Sequence, residues 1–255
     1  MPHFNDSSRP VRRRRSALLL GMLGMLAGSL LIACSGRDGE GGRLVIPEVV
    51  RTHVYVAPGG NDSDPGTSAE PFRTLARAAQ VATSGTTVHV APGVYSGGVR
   101  STAHGTREAR ILFQSSARWG ARIVPPLDAR QTSAWDNLGD HVDIVGFEID
   151  GAQYQSGARW LNGIRVAGAH NGVHHNRIHH IGIDPPCEDR GGAGIAVDTV
   201  RAAVGAALSD NTVHDIGPPA CPSMHGIKAP GAARLHDNTV YAVAGDPVHL
   251  RQGGG

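Results

Sequence analysis

The stretch 205–217, GAALSDNTVHDIG, recurs in altered form along the second half of the chain. Three other segments align with it: VDIVGFEIDG at 142–151, NGVHHNRIHHIG at 171–182 and AARLHDNTVYAVAG at 232–245. Glycine or asparagine occupies one column of this alignment, at spacings of 30, 35 and 27 residues: Gly146, Asn176, Asn211 and Asn238. Repeats with periods between about 20 and 50 residues indicate a solenoid or another repetitive array.

A second set of short, strand-like segments lies between these repeats. Its members are GIRV at 163–166, GIAV at 194–197 and GIK at 226–228, with DPVHL at 246–250 as a shorter copy. Two strands per repeat without a helix between them exclude βαβ units and favour a β-helix, in which each repeat forms one coil. The alternative is a β-sandwich with HDNTV-type hairpin turns, which the nearly constant spacing disfavours.

Stacking of coils gives the asparagine column a physical reason. Paired strands lie about 4.8 Å apart, so an asparagine at a bend meets its counterparts in the coils above and below. Stacked amides satisfy each other's donors and acceptors, as asparagine ladders do in other stacked β structures. Two residues after each asparagine the repeats place an apolar residue that we expect to point inward: Ile178, Val213 and Val240.

The composition agrees with a single domain of short strands and tight turns. Glycine contributes 35 of the 255 residues and aromatic residues only 4%, and glycine supplies the positive φ angles that turns need. The formal net charge is +2, of which residues 1–33 contribute +4 (five arginines and one aspartate), leaving −2 for the rest. A nearly neutral mature chain offers no positive field for nucleic acid.

The segment 55–98, YVAPGGNDSDPGTSAEPFRTLARAAQVATSGTTVHVAPGVYSGG, closely resembles the N-terminal region of pectate-lyase-like right-handed parallel β-helix proteins. The resemblance implies an all-β fold over residues 51–255. It also implies a short capping helix over the first coil, which apolar spacing predicts at 72–82. Members of this family are usually longer, and no second cap follows the last repeat. We therefore expect the β-helix domain to be incomplete at its C-terminus.

Residues 1–33 have the features of an export signal. A run of arginines is followed by the apolar stretch SALLLGMLGMLAGSLLIA, which is typical of such signals. The end of this segment, with Cys34, resembles the bacterial lipobox, which implies lipid modification of Cys34 and anchoring to the cell envelope, with the outer membrane or cell surface as the expected location. Residues 34–50 begin polar and glycine-rich and form a predicted flexible tether. An uncleaved membrane anchor is the alternative.

Export would place the two remaining cysteines in an oxidising compartment. Cys187 and Cys221 occur in similar contexts, DPPCED and GPPACPS. A disulfide between them is the prediction. A metal site is the weaker alternative, because two thiols without histidines at ligand spacing do not complete one.

The resemblance draws attention to Lys228, the only lysine of the chain. Lyases of this fold remove the proton next to a uronate carboxylate and need a base and a cation; in several such families the base is a lysine with a neighbouring arginine. The repeats place Lys228 in one outward column with Ala196, Arg165 and His249. Lys228, Arg165 and His249 are the predicted catalytic residues of a monomeric enzyme that cleaves a uronate-containing polysaccharide by β-elimination. The alternatives are a solvated lysine and a non-catalytic glycan-binding or structural protein of the cell envelope.

Other polar residues give weaker functional signals. Four acids in or near the loop before Lys228 could offer hard oxygen ligands to calcium: Asp184, Glu188, Asp189 and Asp198. The segment directly ahead of Lys228 holds no acid, which departs from the pattern of the calcium-dependent lyases. The histidines around Asn176, together with Glu148 and Asp150, are interpreted as surface residues.

Overall fold

The computed structural model describes residues 51–152, 156–184, 187, 191–198 and 203–251. All of them lie in one compact unit, 47–255. In this part of the chain one helix, α1 (Leu75–Val81), accompanies nineteen strands. The strands are β1 (Thr52–Val56), β2 (Thr86–Val90), β3 (Gly93–Ser96), β4 (Val99–Ser101), β5 (Ile111–Ser115), β6 (Ala121–Val124), β7 (Ser133–Asn137), β8 (Val142–Val145), β9 (Glu148–Asp150), β10 (Asn162–Val166), β11 (Gly172–His174), β12 (Arg177–Ile181), β13 (Gly192–Val197), β14 (Ala207–Ser209), β15 (Thr212–Ile216), β16 (Met224–Pro230), β17 (Arg234–His236), β18 (Thr239–Val243) and β19 (Val248–Arg251).

The strands form three parallel sheets, which we call A, B and C. Sheet A has the order β1-β2-β5-β8-β11-β14-β17, sheet B β3-β6-β9-β12-β15-β18, and sheet C β4-β7-β10-β13-β16-β19. Each full coil contributes one strand to each sheet, and strands of successive coils pair in parallel. The predicted parallel β-helix is therefore confirmed. The hairpin alternative fails because hairpins would pair antiparallel.

An asparagine ladder runs along the bend between sheets A and B. Nδ2 of Asn176 donates to Oδ1 of Asn211 over 3.1 Å, and Nδ2 of Asn211 donates to Oδ1 of Asn238 over 2.9 Å. The same oxygens accept the backbone N–H of the preceding asparagine at 3.0 and 3.1 Å. Asn176 and Asn211 are 0% and 1% exposed. The predicted ladder is thus confirmed over three coils.

The predicted position of Gly146 in this column is wrong by one residue. The strand register places Phe147 opposite Asn176, and the backbone N–H of Phe147 donates to Asn176 Oδ1 over 2.9 Å. Gly146 has φ 77° and belongs to the preceding column, where the chain turns in the left-handed region. Asparagine, aspartate and histidine enter this region more readily than other side chains, which agrees with the other members: His175, Asp210 and Asp237.

A glycine column in sheet C explains the recurring Gly-Ile motif. A Cβ on Gly163 would lie 2.5 Å from Cγ2 of Ile178, and one on Gly194 would lie 2.4 Å from Cγ1 of Val213. Gly226 repeats this relation to Val240 at 2.3 Å. Those apolar partners are the inward residues that follow the asparagines, so the two repeated motifs pack against each other inside each coil.

The capping helix α1 is shorter than its apolar pattern predicts. It spans Leu75–Val81 instead of 72–82, because Thr74 is the N-cap and accepts the backbone N–H of Arg77 over 3.1 Å. Phe72 remains outside and forms a parallel bridge with Val56. The buried face of the helix, including Leu75 and Ala78, packs against β1 and β4, where it covers the core of the first coil.

A disulfide joins Cys187 and Cys221, as predicted, with the two Cα atoms 5.3 Å apart. The cysteines lie in the loops after β12 and β15, which are equivalent positions of successive coils. Disulfides of this kind are typical of proteins exported to an oxidising compartment. Among the described residues, no helix has the length and apolarity needed to cross a membrane.

Candidate functional site

The outer face of sheet C carries the predicted column around Lys228. Lys228 pairs with Ala196 on one side and His249 on the other, and Ala196 pairs with Arg165. The predicted alignment of these residues is confirmed. Ile227 and Ala229 are both fully buried. Because side chains alternate along a strand, the Lys228 side chain between them points to the outer surface.

Lys228 has an environment that favours its neutral form. It is partly buried, and this burial, followed by the positive charge of Arg251, lowers the pKa of its amine. Within the described part of the chain no carboxylate forms an ion pair with Lys228. A lysine that is desolvated and lies near another cation, without an acid partner, is better suited to accept a proton than a solvated lysine.

Two histidines lie beside Lys228 on this face. The rings of His225 and His249 stack with centroids 4.2 Å apart. His249 Nδ1 lies 2.7 Å from Asp246 Oδ2, while His225 Nδ1 accepts the backbone N–H of Asp246 over 3.2 Å. Burial lowers the pKa of His225, and the nearby His249 and Lys228 lower it further. The group therefore combines a partly desolvated amine with two imidazoles.

Arg165 stands apart from Lys228 in the same column. It donates to Asp198 over 2.6 Å and lies 3.6 Å from Asp136. Two strand spacings separate Arg165 from Lys228, a distance of about 10 Å. The cation that affects Lys228 is instead Arg251, at the end of β19. Sequence reasoning missed Arg251 because its partner on β16 is a proline, Pro230, so no repeated motif marks this position.

Two of the four acids of the predicted calcium site, Asp184 and Asp198, lie among the described residues. Asp184 forms an ion pair with Arg159, and Asp198 forms one with Arg165. Glu188 and Asp189 lie outside the described residues, as does Cys34. Calcium binding by these acids stays a prediction.

A cleft of about 730 Å³ lies on the outer face of sheet A. Arg110 crosses it and contacts Asp143 through two hydrogen bonds of 2.6 Å. Burial lowers the pKa of His174, which also faces the cleft. The cleft is rich in basic residues, which suits an anionic ligand: Arg107, Arg110, Arg234, His141, His170 and His174.

A polar cluster on the outer face of sheet B was missed by sequence reasoning, which treated its members as surface residues. Asp150 and His179 are register partners, and their side chains are only 5% and 9% exposed. Burial lowers the pKa of His179 although Glu148 raises it. Burial, the largest single effect, opposes ionisation of Asp150, but the hydrogen bonds from Arg122 and the backbone of Ala152 and the nearby charges of His179 and Arg122 together outweigh it, so the pKa of Asp150 is lowered. The two residues are close because the parallel register places residues about 30 positions apart in sequence side by side. The sequence interpretation did not include this register for β9 and β12.

Comparison with known proteins identifies the fold. The family described as "Protein of unknown function (DUF1565)" matches residues 58–102. A pectate lyase, Pel9A, superimposes with a TM-score of 0.52 and 14% identity, over 76% of this chain and 55% of its own. A rhamnogalacturonan lyase gives 0.50 and 16% identity, over 80% and 62%. The chain has the pectate-lyase-like, right-handed parallel β-helix fold.

Two further proteins are similar to this chain. The structure of XylC in complex with xylose gives a TM-score of 0.52 at 12% identity, over 78% of this chain and 60% of its own. "Uncharacterized protein YwoF" from Bacillus subtilis is 29% identical over 168 residues, or 64% of this chain. The β-helix chain spans only 36% of the length of that curated relative. The structural neighbours of the present chain are therefore carbohydrate-related β-helix proteins of low sequence identity.

Proposed function

We propose that this protein is an exported, lipid-anchored enzyme that cleaves a uronate-containing polysaccharide by β-elimination, with Lys228 as the base. The observation that carries the proposal is the environment of Lys228. Its amine is partly buried, has a lowered pKa and lies near Arg251. No other lysine occurs in the chain.

Each residue near Lys228 has a defined task in this reaction. Arg251 binds the uronate carboxylate and stabilises the negative charge that develops on it. Neutral Lys228 takes the proton from the carbon next to that carboxylate. The electron pair then forms a carbon–carbon double bond while the bond to the glycosidic oxygen breaks, and that oxygen receives a proton from His249. Arg165 takes no part in the chemical step of this mechanism. Its ion pairs with Asp198 and Asp136 give it a structural role in the column.

Purified protein incubated with pectate, alginate and glycosaminoglycans tests this mechanism through the ultraviolet absorbance of unsaturated chain ends. Loss of a general base commonly costs about 10²–10⁴-fold in rate, so Lys228→Gln is expected to reduce product formation by that factor. Arg100→Gln serves as the matched control, since Arg100 lies in the same column four coils away. Equal activity of the Lys228→Gln and wild-type proteins would refute the role of Lys228.

Non-catalytic glycan binding is the second candidate, and the basic cleft on sheet A favours it. Arg107 and Arg234 line that cleft and, within the described residues, form no ion pair. Binding of a uronate oligosaccharide that weakens with added salt, and weakens in Arg234→Gln but not in Lys228→Gln, would support this function. Absence of unsaturated products from every polymer would then leave binding as the activity.

The lipid anchor and the calcium ion have separate tests. Incorporation of labelled palmitate that disappears in Cys34→Ser would support lipidation, and equal labelling of both proteins would refute it. Calcium at the loop of Asp184, Glu188, Asp189 and Asp198 predicts activity that is lost with a chelator and restored by Ca²⁺. Activity unaffected by a chelator would refute a role for calcium in the reaction.

A further inference from the structure

Three side chains with ligand atoms converge on the outer face of sheet B, on a different face from Lys228. Asp150 ends β9, and His179 lies opposite it on β12. His180 joins the group because its φ of 56° removes it from the alternation of the strand. Asp215 and Ala242 have the same conformation at the equivalent positions of the next two coils. The bend is therefore a property of the sheet that brings His180 towards the other two residues.

Two of the three distances among these atoms match those around one small metal ion. Nδ1 of His179 lies 2.6 Å from Nδ1 of His180 and 3.6 Å from Oδ1 of Asp150, and the last two atoms are 3.2 Å apart. Around a tetrahedral zinc ion with bonds of about 2.0–2.1 Å, neighbouring ligand atoms lie about 3.3 Å apart. The two distances to Asp150 Oδ1 are within about 0.3 Å of this value, whereas the two imidazole nitrogens, 2.6 Å apart, must separate by about 0.7 Å for tetrahedral coordination.

Glu148 determines which nitrogen of His179 is free to bind. Nε2 of His179 lies 3.0 Å from Oε1 of Glu148, and an ionised carboxylate can only accept a hydrogen bond. The proton of the neutral imidazole therefore resides on Nε2, and the Nδ1 lone pair points at His180. Arg177 holds Glu148 in place over 2.5 Å. A carboxylate behind a ligand histidine in this way orients the ring and strengthens metal binding.

The charges around the group select the kind of ion. Arg122 binds Oδ2 of Asp150, while Oδ1 accepts the backbone N–H of Ala152 over 3.0 Å and keeps a second lone pair for a metal ion. Arg122 and Arg177 together balance the charges of Asp150 and Glu148. The group therefore has little excess negative charge to attract calcium or magnesium, which prefer oxygen ligands. Two imidazoles and one carboxylate favour zinc and neighbouring transition metals.

We propose that Asp150, His179 and His180 bind a zinc-class divalent ion. The side chain of His180 is 38% exposed, so the fourth coordination position opens to solvent on that side. Water or an anionic oxygen ligand would occupy this position, as in zinc sites that are not closed by a fourth protein ligand. The site does not depend on the β-elimination proposed for the Lys228 face.

A second group of similar composition provides an internal comparison. His225, Asp246 and His249 also bring their ligand atoms within 4.8 Å of one another. There, however, Nδ1 of His225 already accepts the backbone N–H of Asp246 over 3.2 Å, and a backbone proton cannot move away. His179 Nδ1 also accepts a hydrogen bond, from His180 Nδ1, but the proton of that bond can shift to Nε2 of His180 when a metal binds. Asp246 has a side chain that is 60% exposed. This group has the residue types of a metal site without the free lone pair.

Titration of the full-length chain with Zn²⁺ by calorimetry, and with Co²⁺ by visible absorption, tests the proposal. We expect one equivalent of metal and the d–d bands of four-coordinate Co²⁺. His180→Asn removes one ligand while asparagine tolerates the left-handed backbone. Its matched control is His175→Asn, because His175 has φ 58° and lies outside the cluster. Circular dichroism of both variants checks that they fold.

The expected result is that His175→Asn binds as the wild type does. Glu148→Gln, which alters the carboxylate behind His179, is expected to weaken affinity about 10–100-fold, and His180→Asn to weaken it further. Three results would overturn the proposal: no saturable binding of Zn²⁺ or Co²⁺ by the wild type, unchanged binding in His180→Asn, or loss of binding in His249→Asn instead.

Discussion

Replacement of the central ladder asparagine, Asn211→Ala, tests the stacking on which the fold depends. Oδ1 of Asn211 accepts the backbone N–H of Asn176 over 3.0 Å, and its Nδ2 donates to the carbonyl of Val173 over 2.8 Å. Both bonds lie at buried positions. Each buried polar group left unpaired costs about 1–3 kcal/mol. Loss of these two bonds therefore predicts a decrease of about 2–6 kcal/mol in the free energy of unfolding.

The matched control is Asn238→Ala, one coil further along the same ladder. Asn238 is partly exposed, so water can replace its bonds, and we expect a decrease of about 1 kcal/mol. Urea unfolding followed by the fluorescence of the buried Trp135 and Trp160 measures both values. If Asn211→Ala changes the unfolding free energy by less than Asn238→Ala, the ladder does not stabilise the stack as described.

Three further predictions concern other parts of the coil. Reduction of the Cys187–Cys221 disulfide, which closes a 34-residue separation, is expected to lower the unfolding free energy by about 3–4 kcal/mol; thermal unfolding with and without reductant measures this. Gly194→Ala places a Cβ 2.4 Å from Val213 and should cost about 1–3 kcal/mol, and an unchanged melting temperature would contradict the packing. Burial lowers the pKa of His174 in the folded protein, so the unfolded chain binds this proton more readily than the folded one. The free energy of unfolding should therefore rise with pH between that lowered pKa and the ordinary value of about 6.5. His174→Asn should reduce this rise in a series of unfolding curves at different pH.

The fold could be predicted because stacked coils impose the same requirements on every repeat. Asn176, Asn211 and Asn238 recur since each amide needs a partner above and below it, and the Gly163 and Gly194 motifs recur since no Cβ fits there. Gly146 was misplaced because phenylalanine stands at the asparagine position of its coil. A pattern of residue types cannot reveal this substitution, whereas the pairing of strands does.

The site was less predictable because its residues do not recur. Register alone placed Lys228 next to His249. Arg251 lies opposite Pro230 and so belongs to no repeated motif. His180 joins Asp150 and His179 only because it lies at a bend, where the alternation of the strand fails. The φ of 56° at His180 decides that both adjacent histidines face the same ion-sized space. No hydrophobic period in the sequence encodes that angle.

The Cys187–Cys221 bond has a mechanical consequence. It links the same loop of two successive coils and so closes one complete winding of the chain into a covalent ring. A force applied at the C-terminal side peels strands off the stack up to Cys221 and then passes through the disulfide directly to Cys187. The 34-residue winding behind it is then shielded from extension, and a molecule pulled in a reducing solution should lengthen further by that amount of chain.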